Sequence, residues 1–250
     1  MGRLRISLEN VSIEPDDALL PHLHDWYFDG VDDYLEVPSF DLSDFAIETL
    51  VFRAVDSGLH EYIVSKSDSS SYDIWLEIAT GDKFRIEFVD VSNEYNYLDS
   101  ITNADTGKWY HVVGMFKLND AFYIYINGSL DSSGVTYGDA TEYPRLSTRS
   151  WWIGRLKNYY NFNGYIAFVR IYSRVLSDSE IEWNYYHPDD PVRNGLVLWL
   201  HYDSIDEDAS VWNDKTAYGN DGTIYGATAV EYTKPPYRTL SPSRTLSPVR

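Results

Sequence analysis

The chain has 250 residues, 44% hydrophobic and 16% aromatic, enough to bury a sizeable core in one large β domain or two small domains. Its formal net charge of −19 argues against nucleic acid or an anionic membrane as the main partner. The absence of cysteine excludes a disulfide framework, a thiolate metal site and a cysteine nucleophile.

From the N-terminus, "MGRLRISLENVSIEPDD" alternates Leu4, Ile6 and Leu8 with Arg3, Arg5 and Ser7, a strand pattern without the continuous apolar run of a signal peptide. No run of about 18 apolar residues follows anywhere, so no membrane-spanning segment is read. "PHLHDW" (21–26) reads as a connecting segment, and His22 and His24 within it are not read as a metal site. Period-2 segments then recur: "DYLEV", "FAIETLVFRA", "EYIVSK", "YDIWLEI", "KFRIEFVDV", "WYHVVGMF", "AFYIYING", "WWIGRL" and "GYIAFVRIYS". Turn clusters such as "KSDSSS", "ATGD" and "LND" separate them, and Asn127-Gly128 marks a hairpin. Alternation predicts an all-β, antiparallel two-sheet sandwich or jelly roll in which each sheet buries one face. The one persuasive helix is "SDSEIEWNYYH" (177–187). Ser177 and Glu180 form a capping box there, and Ile181, Trp183 and Tyr185 supply apolar contacts.

"NGLVLWLHYDS" (194–204) reads as an opening strand although it lies near the end of the chain. Leu196, Leu198 and Leu200 alternate with Val197, Trp199 and His201, so both faces are largely apolar and the strand belongs in a sheet interior. The tail "YRTLSPSRTLSPVR" repeats Arg-Thr-Leu-Ser-Pro, is basic on an acidic protein and proline-rich, and reads as extended unless docked on an acidic neighbour.

Oxygen-rich side chains in "NDKTAYGNDG", namely Asp214, Asn220 and Asp221, suit a hard cation such as calcium. Aromatic faces beside Asn and Asp in "SNEYNYLDS" (92–100) and "KNYYNFNG" (157–164) suit sugar rings, with Tyr95, Tyr97 and Tyr159 as candidates, while Tyr160 and Phe162 are read as core. Glu77, Glu87 and Asp90 read as the solvent face of alternating strands. No phosphate loop or Ser-His-Asp arrangement is present, and no catalytic residue is assigned.

"FDGVDDYLEVP" (28–38), "KWYHVVGMF" (108–116), "YINGSL" (125–130), "WIGR" (152–155) and "FNGYIAFVRIYSRVLSDSEI" (162–181) together resemble the laminin-G-like, concanavalin A-like lectin/glucanase jelly rolls, including the pentraxin-like branch. The resemblance covers about 28–185 and then 194–232. It implies a two-sheet β-sandwich that binds glycans or proteins on cell or particle surfaces, with a structural calcium ion. The family's opening strand resembles "GLVLWLHYD", so the C-terminal segment supplies the module's first strand, by permutation onto its own sheet or by exchange with a neighbour. The expected organisation is an N-terminal arm (1–25), the jelly roll (26–187 completed by 194–232) and a basic tail (233–250).

The superfamily's glucanases carry an E-x-D-x-x-E pattern. The nearest stretch, "EPDDAL" (14–19), lacks the last glutamate and lies outside the module. Many members have an aspartate where this chain has Ala167, which removes one carboxylate from the implied calcium set. His111 falls in a strand whose resemblance implies packing. The expected function is a non-catalytic, lectin-like structural or adhesion protein of a virus particle or cell surface. It would bind a glycan or cell-surface ligand and associate with itself or other particle proteins through the C-terminal segment. The competing reading is a soluble carbohydrate-binding module or accessory lectin, with a degenerate glycoside hydrolase third.

Overall fold

The computed structural model describes residues 24–68, 71–156, 160–205 and 210–231. Its first strands are β1 (His24–Asp29), β2 (Tyr34–Val37), β3 (Phe45–Arg53), β4 (Glu61–Ser67), β5 (Tyr72–Ala79), β6 (Lys83–Val89) and β7 (Tyr95–Asn103). β8 (Trp109–Phe116), β9 (Phe122–Ile126) and β10 (Ser129–Gly134) follow. Between β9 and β10, Asn127 and Gly128 have φ of 51° and 77°, the left-handed pair that a two-residue type I′ hairpin requires. Then come β11 (Trp151–Ile153), β12 (Arg155–Leu156), β13 (Tyr160–Asn161) and β14 (Asn163–Tyr172). Helix α1 (Asp178–Tyr186) precedes β15 (Leu196–Ile205), β16 (Val211–Asp214), β17 (Gly222–Tyr225) and β18 (Thr228–Glu231).

The main ladder is antiparallel and runs β10-β9-β8-β3-β14-β15-β16-β17-β2-β11-β4-β5-β6-β7, with β1 joining β14 to β18. It folds over on itself, so β3, β8, β9 and β14 face β4, β5 and β6 across a shared apolar core. Phe88 of β6 shows the contact between layers: its ring lies 6.5 Å from Phe45, 4.5 Å from Phe116 and 5.3 Å from Phe122. Each such ring removed from water contributes on the order of 1.5–3 kcal/mol. This is the jelly-roll sandwich that the alternation predicts.

The C-terminal segment supplies the strands that join the two layers. β15 pairs with β14 from Phe168↔His201 to Tyr172↔Leu196, and β17 pairs with β2 through Thr223↔Glu36, Ile224↔Leu35 and Tyr225↔Tyr34. Leu198, Leu200 and Trp212 are fully buried, and Trp212 packs 5.8 Å from Trp26. The apolar pattern on both faces of 196–201 thus reflects an interior strand. For 24–26 the connector reading is corrected, since His24–Asp29 forms β1, paired with β18 and, from Trp26, with β14, while 21–23 lie outside the described residues. The strand holds three aromatics in a row, Trp26, Tyr27 and Phe28, so period-2 alternation did not mark it.

Burial of only one face per sheet does not hold for β3, β8 and β14, whose outer faces are covered by α1 and its flanks. The helix starts at the predicted capping box: Ser177 Oγ accepts from the Glu180 N–H, and the Glu180 side chain accepts from the Ser177 N–H. Ile181 and Tyr185 point inward, whereas Trp183 is 46% exposed and stacks on His187, contrary to its expected core role. Beneath α1, buried Glu48 accepts from His111 Nε2 (2.7 Å), Arg170 Nη1 (3.0 Å) and Asn184 Nδ2 (2.9 Å). Burial alone would raise its pKa, but Arg170 and His111 hold the carboxyl below the ordinary value. His111 is therefore part of the packing, paired with a carboxylate. No helix among the described residues is long and apolar enough to cross a membrane.

Candidate functional site

Alternation along β7 puts Tyr95, Tyr97 and Asp99 on its outer face and buries Asn96, Leu98 and Ser100 beneath. Register then fixes a row across the sheet. Tyr97 lies opposite Glu87, Glu87 opposite Trp75, Trp75 opposite Ser65, and Ser65 opposite Trp152. Neighbours in such a row stand about 4.8 Å apart in the hydrogen-bonding direction. Arg85 grips Asp99 through Nε (2.6 Å) and Nη2 (2.9 Å) and lays its guanidinium 3.8 Å from the centre of the Tyr97 ring. Tyr137 stacks on Tyr97 at 5.6 Å and 17°. The Tyr72 and Tyr95 hydroxyls meet at 2.5 Å.

Beyond Tyr95 and Tyr137 a 260 Å³ cleft opens, lined also by Asp90, Asn96, Asp139, Glu94 and Glu142. The buried Asp90 carboxylate shapes its floor, accepting from Ser92 N (2.9 Å), Glu94 N (2.8 Å) and Asn96 Nδ2 (2.8 Å). Asn96 Oδ1 in turn accepts from Asp139 N at 2.7 Å. The approach is so close that a Cβ on Gly138 would fall 2.2 Å from Asn96 Oδ1, which is why glycine stands there.

Glu77, Glu87 and Asp90 correct the solvent-face reading: they are 0%, 6% and 4% exposed. Alternation did assign the outer face to Glu77 and Glu87, but Tyr62, Tyr72, Leu156 and Tyr160 pack on it, whereas Asp90 lies just beyond β6 and is buried by its own turn. Glu77 Oε2 bonds His60 Nδ1 at 2.9 Å, while its Oε1 has no hydrogen-bond partner. Burial, with the charge of Glu77, pushes the Glu87 carboxyl up to about 8, against the opposing pull of Arg85 and His60.

Tyr95 and Tyr97 thus sit together, joined by Tyr137, which lies in an aperiodic loop that gave no signal in the sequence. Tyr159 falls outside the described residues, between Leu156 and Tyr160, both of which pack on this face. Phe162 is in the core as expected, whereas Tyr160 lies outside it, part-buried on the outer face against Tyr62.

Asp214, Asn220 and Asp221 come together in one turn. Asp214 accepts from Trp199 N (2.9 Å), Thr216 N (3.0 Å), Thr216 Oγ1 (2.6 Å) and Asn220 N (2.9 Å). Asp221 Oδ1 accepts from Asp214 N at 2.8 Å, and Asn220 Nδ2 donates to Val197 O at 3.0 Å. A cation there would have to displace these donors, so the Asp214 carboxylate fits it poorly. Asp29, Asp32 and Asp33 offer carboxylate oxygens all within 4.8 Å of one another. Burial, together with the charges of Asp29 and Asp32, raises the Asp33 carboxyl to about 6. Asp33 Oδ2 and Asp29 Oδ1 also accept backbone N–H groups, of Asp29 (2.8 Å) and Val31 (2.7 Å), but each has fewer donors to lose than Asp214, so this all-oxygen set fits a hard cation better. Ala167 is buried against Leu50, Phe168 and Tyr185.

The antiparallel strands and shared apolar core define a concanavalin A-like jelly roll. The family profile described as concanavalin A-like lectin/glucanases superfamily, of laminin-G type, matches residues 29–182, and the chain belongs to that family. A proposed carbohydrate-binding protein from Bacteroides ovatus is similar in structure, with a TM-score of 0.68 and 20% identity over 86% of this chain. The chain spans 62% of that protein. A heptameric SAP-like pentraxin from Limulus polyphemus is similar with a TM-score of 0.57 and 11% identity, over 85% of this chain and 96% of the pentraxin. No curated protein matches the chain significantly.

Proposed function

We propose that the chain is a non-catalytic carbohydrate-recognition module that seats a glycan against Tyr95, Tyr97 and Tyr137 and over the adjoining cleft. The observation that carries this reading is the cleft itself, where two part-exposed tyrosine rings flank carboxylate and amide groups held in place by hydrogen bonds. Ring faces cover sugar C–H surfaces, and the fixed polar atoms give orientation. The name of the Bacteroides ovatus protein is in line with this reading.

Catalysis is a weaker reading: the Glu77 and Glu87 carboxylates are buried on the outer sheet face, and of the acids lining the cleft, Asp90 is taken up by three N–H donors and Asp139 by Thr141. In the biological setting we favour, the module acts in adhesion on a virus particle or cell surface, associating with like copies or other surface proteins. A calcium ion would stabilise the fold and take no part in chemistry, held by Asp29, Asp32 and Asp33.

A glycan array probed with the whole chain tests the proposal. Saturable binding to a restricted set of glycans is expected, reduced at least about tenfold by Tyr137→Ala, within the range for an aromatic contact of about 0.5–1.5 kcal/mol plus lost area. An array without binding on any glycan would overturn it.

A further inference from the structure

Every charged side chain lining the cleft carries the same sign. Asp90, Glu94, Asp139 and Glu142 contribute carboxylates, and no lysine or arginine is among the lining residues. The guanidinium next along the chain, Arg145, is engaged elsewhere: it bonds Asp73 (2.6 Å), Asn93 Oδ1 (2.9 Å) and Ser71 Oγ (2.9 Å). Arg85 is held by Asp99.

The four acids differ in what they can still offer. Asp90 is enclosed by its three N–H donors, and Asp139 Oδ1 accepts both the N–H and the hydroxyl of Thr141 at 2.8 Å. Those bonds hold Asp139 below the ordinary carboxylate range, so it stays ionised. Glu142 Oε2 is closed off from solvent and accepts no hydrogen bond. Beside these groups, Tyr95 and Tyr137 are 40% and 56% exposed, leaving ring faces open at the cleft mouth. Carboxylates around an aromatic wall form a site for a cation attached to an apolar body.

We infer that the cleft selects glycans bearing free ammonium groups, that is, 2-amino sugars, over their N-acetylated, neutral or anionic counterparts. This rests on the glycan-binding reading above. The sugar ring lies on Tyr95 and Tyr137, and its ammonium points at the exposed Glu94 carboxylate, with the charge of the half-buried Glu142 beside it. A sulfated or carboxylated sugar in the same pose would meet like charge on every side.

Calorimetry with the full chain tests the inference, using glucosamine oligosaccharides, their N-acetylated equivalents of the same length, and a sulfated oligosaccharide. One charge-assisted contact favours the amine over the N-acetyl form about tenfold, with a preference that shrinks as salt is added. Glu94→Gln with Glu142→Gln should remove that preference by bringing the affinity of the amine form down to that of the N-acetylated form, and Tyr137→Ala should weaken both forms alike. Equal affinity for the two forms, or a preference that survives the double substitution, would overturn the inference and leave glycan binding standing. Absence of binding to every oligosaccharide, on the array and in calorimetry, would remove the glycan-binding reading and this inference with it.

Discussion

Glu87 offers a sharp test of how the outer sheet face is built. Its carboxyl is 6% exposed, lies opposite Trp75 and Tyr97, and sits 3.7 Å from Arg85 Nη1. Burial and Glu77 raise it from the ordinary 4.5 to about 8. A pKa raised on folding means that the folded protein binds the proton more tightly. The stabilisation is therefore complete below about pH 4.5 and is lost as pH rises through about 8. The difference of about 3.5 pH units, at about 1.36 kcal/mol each, sets an upper bound of about 5 kcal/mol, and relaxation of the face leaves a few kcal/mol. Glu87→Gln keeps the shape and removes the titration. Urea unfolding should find the two proteins close in stability near about pH 5, with the variant more stable by a few kcal/mol near about pH 9. His60 is also raised, chiefly by its hydrogen bond to Glu77, and loses stabilisation in the same direction, but it is common to both proteins and largely cancels in the comparison. A difference between the two proteins that stays constant across this range would refute the reasoning.

Other outcomes follow from the same geometry. Asp214→Ala removes the acceptor of four hydrogen bonds and should lower Tm by the same amount with or without calcium, whereas Asp33→Asn should abolish any calcium-dependent rise; thermal shift assays read both. Deleting residues 190–250 strips β14 and β2 of one partner strand each and uncovers the core beneath Leu198, Leu200 and Trp212, so the truncated chain should be insoluble or lack a cooperative melt by calorimetry. Incubation with laminarin, agarose and related β-glycans should release no enzyme-dependent reducing ends.

Much of the fold was legible because its signals are local. Period-2 runs marked the strands, Asn127-Gly128 marked a hairpin, and Ser177 with Glu180 marked the start of α1. The two-sided apolar pattern of 196–201 showed an interior strand, but only the family resemblance told where it belonged. Alternation assigns a residue to a face without saying what lies over that face, so the burial of Glu77 and Glu87 under Leu156 and Tyr160 was not readable. Tyr95 and Tyr97 stood out by composition, whereas Tyr137 reaches them from 40 residues away through a pairing that no pattern announces. Asp214 resembled a metal ligand because a carboxylate that caps backbone N–H groups has the same sequence signature as one that binds a cation.

The central claim, that glycan is held at the Tyr95–Tyr97–Tyr137 face, is tested most directly by NMR titration of the labelled chain with an array-selected oligosaccharide. The account predicts saturable shifts concentrated at Tyr95, Asn96, Tyr97, Tyr137 and Gly138, with the turn at 214–221 unmoved. Saturable shifts centred on any other surface, with these residues unchanged, would contradict it.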